Sequence, residues 1–173
     1  MTCIWWYKMY IYGMDLSLSS SGIVIFDEDA QPVKILTIKT SVQQKHGRRL
    51  RKIAEELLVL TEQYPPKVLV CEGAFYRYPK ATEALYKVHG VVNYLFYDKK
   101  IVTYAPRSVK AFILKGNSTK HEVGVRIKRT YPNVEFENDD ESDAFAVGLS
   151  YFIDERLIKW TKNTKGRANA KKD

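Results

Sequence analysis

Tyr10-Ile-Tyr-Gly-Met-Asp15 is the stretch on which the fold turns. It is an apolar run that ends in an acid. A carboxylate at the end of a buried strand costs free energy unless it is paired or meets a cation. Val68-Leu-Val-Cys-Glu72 repeats the pattern. A third acidic group opens the helical segment Asp140-Glu-Ser-Asp-Ala-Phe-Ala-Val-Gly-Leu149. There Asp140 and Asp143, three residues apart, share one face. Two strand ends and one helix start thus offer four carboxylates, the hard oxygen donors that divalent metal ions prefer.

Around these runs the chain reads as an ordered series. Met9–Leu16 is a strand, Ser17-Leu-Ser-Ser-Ser21 a polar turn, Gly22–Phe26 a second strand and Val33–Lys39 a third. Leu50, Ile53, Ala54, Leu57 and Leu58 follow helical spacing, which predicts an amphipathic helix over 43–63 that Pro65-Pro66 stops. Lys67–Cys71 is short and nearly all apolar, as a central strand should be. A helix follows over 80–97, then a strand over Ile101–Tyr104. Pro106 suits the first position of a short helix and Gly116 its end. Thr119-Lys-His-Glu122 has capping-box spacing and starts another helix. The last helix is expected over about 140–158. Three strands on short connections, then strands joined through helices, predict a mixed five-stranded sheet with helices on both faces. In that order the first and fourth strands lie side by side, with Asp15 and Glu72 at one edge.

The chain has 173 residues, 45% of them hydrophobic, which bounds it to one domain with one substantial core. No apolar run approaches the roughly 20 residues that span a bilayer. Cys3 and Cys71 do not make a disulfide framework, and the expected compartment is a reducing cytoplasm. Residues 1–8 read as an N-terminal extension, 9–158 as the folded domain and 159–173 as a basic tail. The formal net charge is +8, and the tail alone holds Lys159, Lys162, Lys165, Arg167, Lys171 and Lys172 against Asp173. Such a tail either keeps the chain soluble or contacts phosphates by releasing counterions. An acidic pocket in a basic protein is what a metal-dependent enzyme acting on a polyanion needs.

Each feature also has a plain structural explanation. Acids in the first turn of a helix favour its dipole. Asn138 or Asp139 suits an N-cap. Even so, residues 135–143 hold six acids, a crowding that a divalent cation would relieve unless most of them face solvent. Lys120, in a first helical turn, opposes the dipole there. It is either a tolerated surface lysine or a cation aimed at developing negative charge. Phe75-Tyr-Arg-Tyr-Pro-Lys80 interleaves rings and cations directly after Glu72: it reads either as a loop folded onto the core by its rings or, with Phe75, Tyr76, Arg77, Tyr78 and Lys80, as a surface that stacks on bases and contacts phosphates, and the amphipathic loop residues favour the second.

With these motifs in order, the chain resembles the RuvC-like Holliday junction resolvases of the RNase H-like nuclease superfamily over about residues 9–155. The resemblance rests on Gly13-Met-Asp15-Leu-Ser with Ser21-Gly22-Ile, on Glu72-Gly-Ala-Phe75, on Asp140-Glu-Ser-Asp143-Ala-Phe-Ala, on Ala105-Pro-Arg-Ser-Val-Lys110 and on Gly116 through Lys120. It implies an RNase H-like fold with Asp15, Glu72, Asp140 and Asp143 as catalytic metal ligands. Two Mg²⁺ ions per site are implied, with Mn²⁺ expected to substitute. Lys120 is the implied catalytic lysine. Arg107, Lys110 and Lys120 join the aromatic loop as DNA contacts, with Phe75 stacking on a base at the opened junction. The helix over 80–97 is implied to form a homodimer interface through Leu85, Val88, Gly90 and Val92, so that two strands are nicked symmetrically. Leu16-Ser-Leu departs from the Pro-Gly common in bacterial members. Together with the compact length and the basic tail, it looks like a phage-type variant and leaves selectivity open between four-way junctions alone and several branched DNAs. Three other readings compete. They are a related nuclease cutting RNA or RNA–DNA hybrids, a sugar-kinase or actin-like ATPase, and a non-catalytic DNA-binding module.

Overall fold

The computed structural model describes residues 8–73 and 79–162. Its elements run β1 (Tyr10–Asp15), β2 (Ser20–Phe26), β3 (Pro32–Lys39), α1 (His46–Gln63), β4 (Pro66–Glu72), α2 (Pro79–Leu95), β5 (Lys100–Tyr104), α3 (Pro106–Ile113), α4 (Lys120–Thr130) and α5 (Asp139–Asp154). They form one five-stranded sheet in the order β3-β2-β1-β4-β5. The first three strands are antiparallel neighbours, while β4 runs parallel to β1 and β5 parallel to β4. This is the mixed sheet that the order of elements predicts.

Alternation along the strands builds two cores. On one face Ile11, Val24, Phe26, Val68 and Val70 pack against α3, α4 and α5. On the other, Tyr12, Met14, Ile23, Ile25, Leu69 and Cys71 pack against α1 and α2. The period of two carries this pattern to the strand ends. Asp15 follows Ile11 and Gly13 onto the α5 face, and Glu72 follows Val68 and Val70 there.

The central helix α5 is buried from Ala144 to Phe152, sealed by edge-to-face contacts of Phe145 with Phe26, Tyr131 and Phe136. Two glycines let it lie close to the sheet. A Cβ on Gly13 would strike the Ala144 carbonyl, and one on Gly22 would strike the Asp140 carbonyl.

Several boundaries differ from expectation. The first and last helices are shorter, beginning at His46 and ending at Asp154. α3 ends at Ile113, and Gly116 has no left-handed φ. It admits the Arg107 side chain, whose Cγ would lie 3.0 Å from an added Cβ. α2 starts at Pro79 and ends at Leu95, two residues short of the expected 97, and two of the residues implied for a dimer interface turn inward. Val88 and Val92 are 0% and 1% exposed and belong to the core under the sheet, with Leu85 packed against them. They are not available to a partner. Gly90 is exposed with open space before it, and Tyr86, Tyr94 and Tyr97 are exposed on the same helix and just beyond its end.

Candidate active site

The site forms where the carboxyl ends of β1 and β4 meet the start of α5. Met14 pairs with Cys71 across the two parallel strands, so Asp15 and Glu72 stand next to each other at their ends. Asn138 caps α5 by accepting from the Glu141 amide at 3.1 Å, which fixes the first turn that carries Asp140 and Asp143. Thr119 and Glu122 close the expected capping box on α4. That turn aims Lys120 back at the acids, where its ammonium donates to Asp143 Oδ2.

Electrostatics bind these groups into one unit. Burial, then the charges of Asp143 and Glu72, push the Asp15 carboxyl up to about 7, against the pull of Lys120. Glu72 is raised by burial and by Asp143, with Lys120 and Lys110 opposing. Asp143 is raised by burial although Lys120 draws it down. Burial disfavours the Lys120 charge, yet Asp143, Asp15 and Glu72 outweigh it and hold the ammonium above the ordinary lysine range.

The six acids of 135–143 sort by position. Glu135, Glu137 and Asp139 are exposed. Glu141 is buried on the β3 side, accepting from Thr37 Oγ1 at 3.0 Å and from the Glu137 amide at 2.8 Å. Asp140 and Asp143 alone of the six raise or share the field at Asp15. The crowding is therefore largely relieved by solvent and by Thr37, and two acids remain for the site.

Reading the sequence alone missed the support of Asp140. Ser20, in the stretch read as a polar turn but opening β2, donates its hydroxyl to Asp140 Oδ2. Its neighbour Ser19 is held by Arg49 of α1, which is 5% exposed and donates to Ser19 Oγ and to Thr40 Oγ1, each at 2.8 Å. Only the serine-rich composition of the turn hinted at this, and nothing local marks Arg49.

Lys110 opposes the rise at Glu72, and Arg107 is exposed over the α3–α4 turn. Phe75, Tyr76, Arg77 and Tyr78 lie outside the described residues, and Lys80 is the second residue of α2. A cavity of about 510 Å³ opens beside Lys120 and Asp143, walled by Lys128, Phe136 and Asn138.

Among the described residues, no three or more His, Cys, Asp and Glu side chains converge on one ready coordination sphere. Lys120 engages Asp143 and Ser20 engages Asp140. The donor chemistry still fits a hard divalent cation. All four groups are carboxylates, and repulsion and burial raise three of them, a cost that a bound cation would remove.

A sequence model of the family described as "Crossover junction endodeoxyribonuclease RuvC" matches residues 11–151. A protein of that name from Prochlorococcus marinus is 27% identical over 158 residues, covering 87% of this chain and all of its own length. Another, from Hydrogenovibrio crunogenus, is 29% identical over 147 residues, covering 82% of this chain and 86% of its own. Among solved structures, the fold matches Thermus thermophilus RuvC in complex with a Holliday junction substrate with a TM-score of 0.77. The identity there is 19%, with coverage of 86% and 96%. The Fowlpox virus resolvase in complex with Holliday junction DNA matches with a TM-score of 0.55 at 21% identity, covering 87% of this chain and all of that one.

Proposed function

The chain belongs to the crossover junction endodeoxyribonuclease RuvC family, and on that premise we propose that it resolves four-way DNA junctions by hydrolysing phosphodiesters. The observation that carries this reading is the coupling of Asp15, Glu72 and Asp143 around Lys120 at one sheet edge. A basic chain that keeps such an acidic pocket is built to bring a polyanion to cations. The reaction adds water oxygen to phosphorus and breaks the bond to the 3′ oxygen, which takes up a proton. It leaves a 5′-phosphate and a 3′-hydroxyl.

Asp15, Glu72, Asp140 and Asp143 are the proposed ligands of two Mg²⁺ ions, which Mn²⁺ replaces. When bound, the ions acidify water and offset charge on the scissile phosphate. Ser20 orients Asp140 among these ligands. Lys120, turned inward by Asp143, holds a positive charge where negative charge develops on the phosphate oxygens. Lys110 and Arg107 extend that positive edge along α3 for the strand to follow. Phe75, Tyr76, Arg77, Tyr78 and Lys80 are proposed to line the branch point, with Phe75 stacking on an unpaired base.

Paired nicks require two copies. The exposed face of α2 around Gly90 and Tyr94 is proposed as the self-association surface, in place of buried Val88 and Val92. The site of action is proposed to be the cytoplasm of a bacterial cell; no helix among the described residues is long and apolar enough to cross a membrane.

The test is cleavage by the purified chain with Mg²⁺ on labelled four-way, forked and linear duplex DNA and on an RNA–DNA hybrid. Symmetric nicks in the four-way substrate, in preference to the others, are expected. Preferential cutting of the hybrid would replace this reading with that of an RNA-directed nuclease.

A further inference from the structure

We infer that the flank of α4 facing away from the acids carries a second polyanion site, which holds the phosphate backbone of a duplex DNA arm leaving the junction. The inference rests on the DNA reading above and extends it to residues with no part in the chemistry. A groove of about 920 Å³ runs between the α3–α4 turn, α4 and the segment after α5. Lys115, Arg126, Arg129 and Lys162 line it, and among the described residues Glu122 is its sole acid. The Glu122 carboxylate is spent on the helix cap, accepting from the Thr119 amide at 2.7 Å and the Thr119 hydroxyl at 3.1 Å. Among the described residues, no carboxylate lies within ion-pair distance of exposed Lys115 or Arg129. Glu122 and Lys115 feel each other's charge, but among the described residues four cations against this one acid leave the groove net positive.

Two further observations direct that field at a strand in the active site. His121 and Val125 line both this groove and the cavity beside Lys120 and Asp143, so the two are neighbours across one ridge of α4. The groove also has a built wall. Arg126 donates to the Thr161 carbonyl at 2.7 Å and lies over the Trp160 ring at 4.3 Å, while Trp160 Nε1 donates to the Ile113 carbonyl at 3.0 Å. Residues 160–162 are thereby pinned along the groove. Pinning Trp160 and Thr161 holds Lys162 at the groove. Regularly spaced phosphates of a duplex suit several separate cations, and each contact gives affinity through counterion release.

The experiment measures binding of the full chain to a labelled four-way junction and to a linear duplex, without divalent ions, across a range of NaCl. The double variant Lys115→Ala/Arg129→Ala should weaken binding to both DNAs by roughly tenfold near 0.1 M salt. It should also flatten the slope of log K against log salt by about two, at about 0.9 for each lost contact. Lys115→Glu/Arg129→Glu should weaken binding further. Lys67→Ala, a single exposed cation at the opposite end of β4, should leave the slope unchanged. Thermal melts confirm that each variant is folded. Wild-type slopes in both double variants, or an equal loss per charge in Lys67→Ala, would overturn the site. Binding to DNA without cleavage needs no catalysis, so the outcome stands apart from whether the wild-type chain cuts junctions.

Discussion

Ser20 donates its hydroxyl to Asp140, joining the start of β2 to the first turn of α5 across the mouth of the site. The contact is not isolated. Arg49, buried on α1, grips the adjacent Ser19 and Thr40. Ser21 ties the turn to itself by donating to the Ser17 carbonyl at 2.6 Å and accepting from the Ser17 amide at 2.9 Å. A serine turn braced from behind by a buried cation thus fixes the orientation of one proposed ligand.

Ser20→Ala should therefore raise the Mg²⁺ concentration needed for half-maximal cleavage by roughly tenfold, the scale expected when a hydrogen bond that orients a metal ligand is lost. Ser20→Thr should restore most of it. An unchanged metal titration for Ser20→Ala would show that Asp140 is positioned by its helix alone.

The acids also predict how the metal-free protein responds to pH. Asp15 is raised from 3.8 to about 7, so the folded state holds its proton more tightly than the unfolded chain does. Its stabilising contribution is fully present below about pH 4 and is lost as pH rises through about 7. Glu72 and Asp143 shift in the same direction. Asp15→Asn should remove the dependence due to Asp15. In EDTA it should be more stable than wild type by about 2–4 kcal/mol at pH 8, at about 1.4 kcal/mol per pKa unit, with the difference vanishing near pH 4. Denaturant titrations at both pH values measure this. A constant difference between them would place the Asp15 carboxylate in solvent.

Asp143 and Lys120 are predicted to separate binding from chemistry. Asp143→Asn should abolish detectable junction cleavage while leaving junction affinity within a few fold, because the basic surfaces and not the acids attract DNA. Lys120→Ala should slow single-turnover cleavage by roughly 10²–10³-fold, the cost of removing a group that meets developing charge. Cleavage by Asp143→Asn at near the wild-type rate would remove it from the catalytic set.

The two faces of α2 should respond oppositely. Val92→Ala, in the core beneath the sheet, should cost about 1–3 kcal/mol of stability with no direct effect on self-association. Gly90→Trp and Tyr94→Ala, on the exposed face, should weaken self-association in sedimentation while leaving the melting temperature near wild type. A wild-type chain that sediments as a monomer at assay concentrations would remove the paired-nick reading.

Much of this was legible in the sequence because strand and helix periods are local. Runs ending at Asp15 and Glu72 announced both strands, and Thr119 with Glu122 announced α4. The side to which Val88 and Val92 turn was not legible, since an apolar helical stripe looks the same whether it meets its own sheet or a second copy. Nor were Ser20 and Arg49, whose partners lie 120 and 30 residues away in Asp140 and Ser19. Gly116 resembled a helix end by composition, yet it serves the passage of Arg107, a tertiary demand that no local pattern records.

The last prediction concerns Gly22, which makes the site possible without contributing a functional group to it. Gly22 pairs with Asp15 across β1 and β2, and a Cβ on it would strike the Asp140 carbonyl. The missing side chain lets the start of α5 settle onto the sheet edge, which brings Asp140 and Asp143 up to Asp15. A methyl group there meets backbone, which cannot swing aside as a flexible side chain would. Gly22→Ala should therefore lift the first turn of α5, costing about 1–3 kcal/mol of stability as an overpacked contact. Cleavage should fall by far more than the unfolded fraction explains, because an error of about 1 Å in catalytic geometry can cost on the order of 10²-fold. Gly124→Ala is the control. Its added Cβ would meet the Ser142 hydroxyl at 3.4 Å, an ordinary contact, so the variant should be as stable as wild type or slightly more so. Gly22→Ala with wild-type cleavage would show that α5 reaches the sheet edge by another route, and that the close approach of Asp140 to β2 is not what assembles the acids.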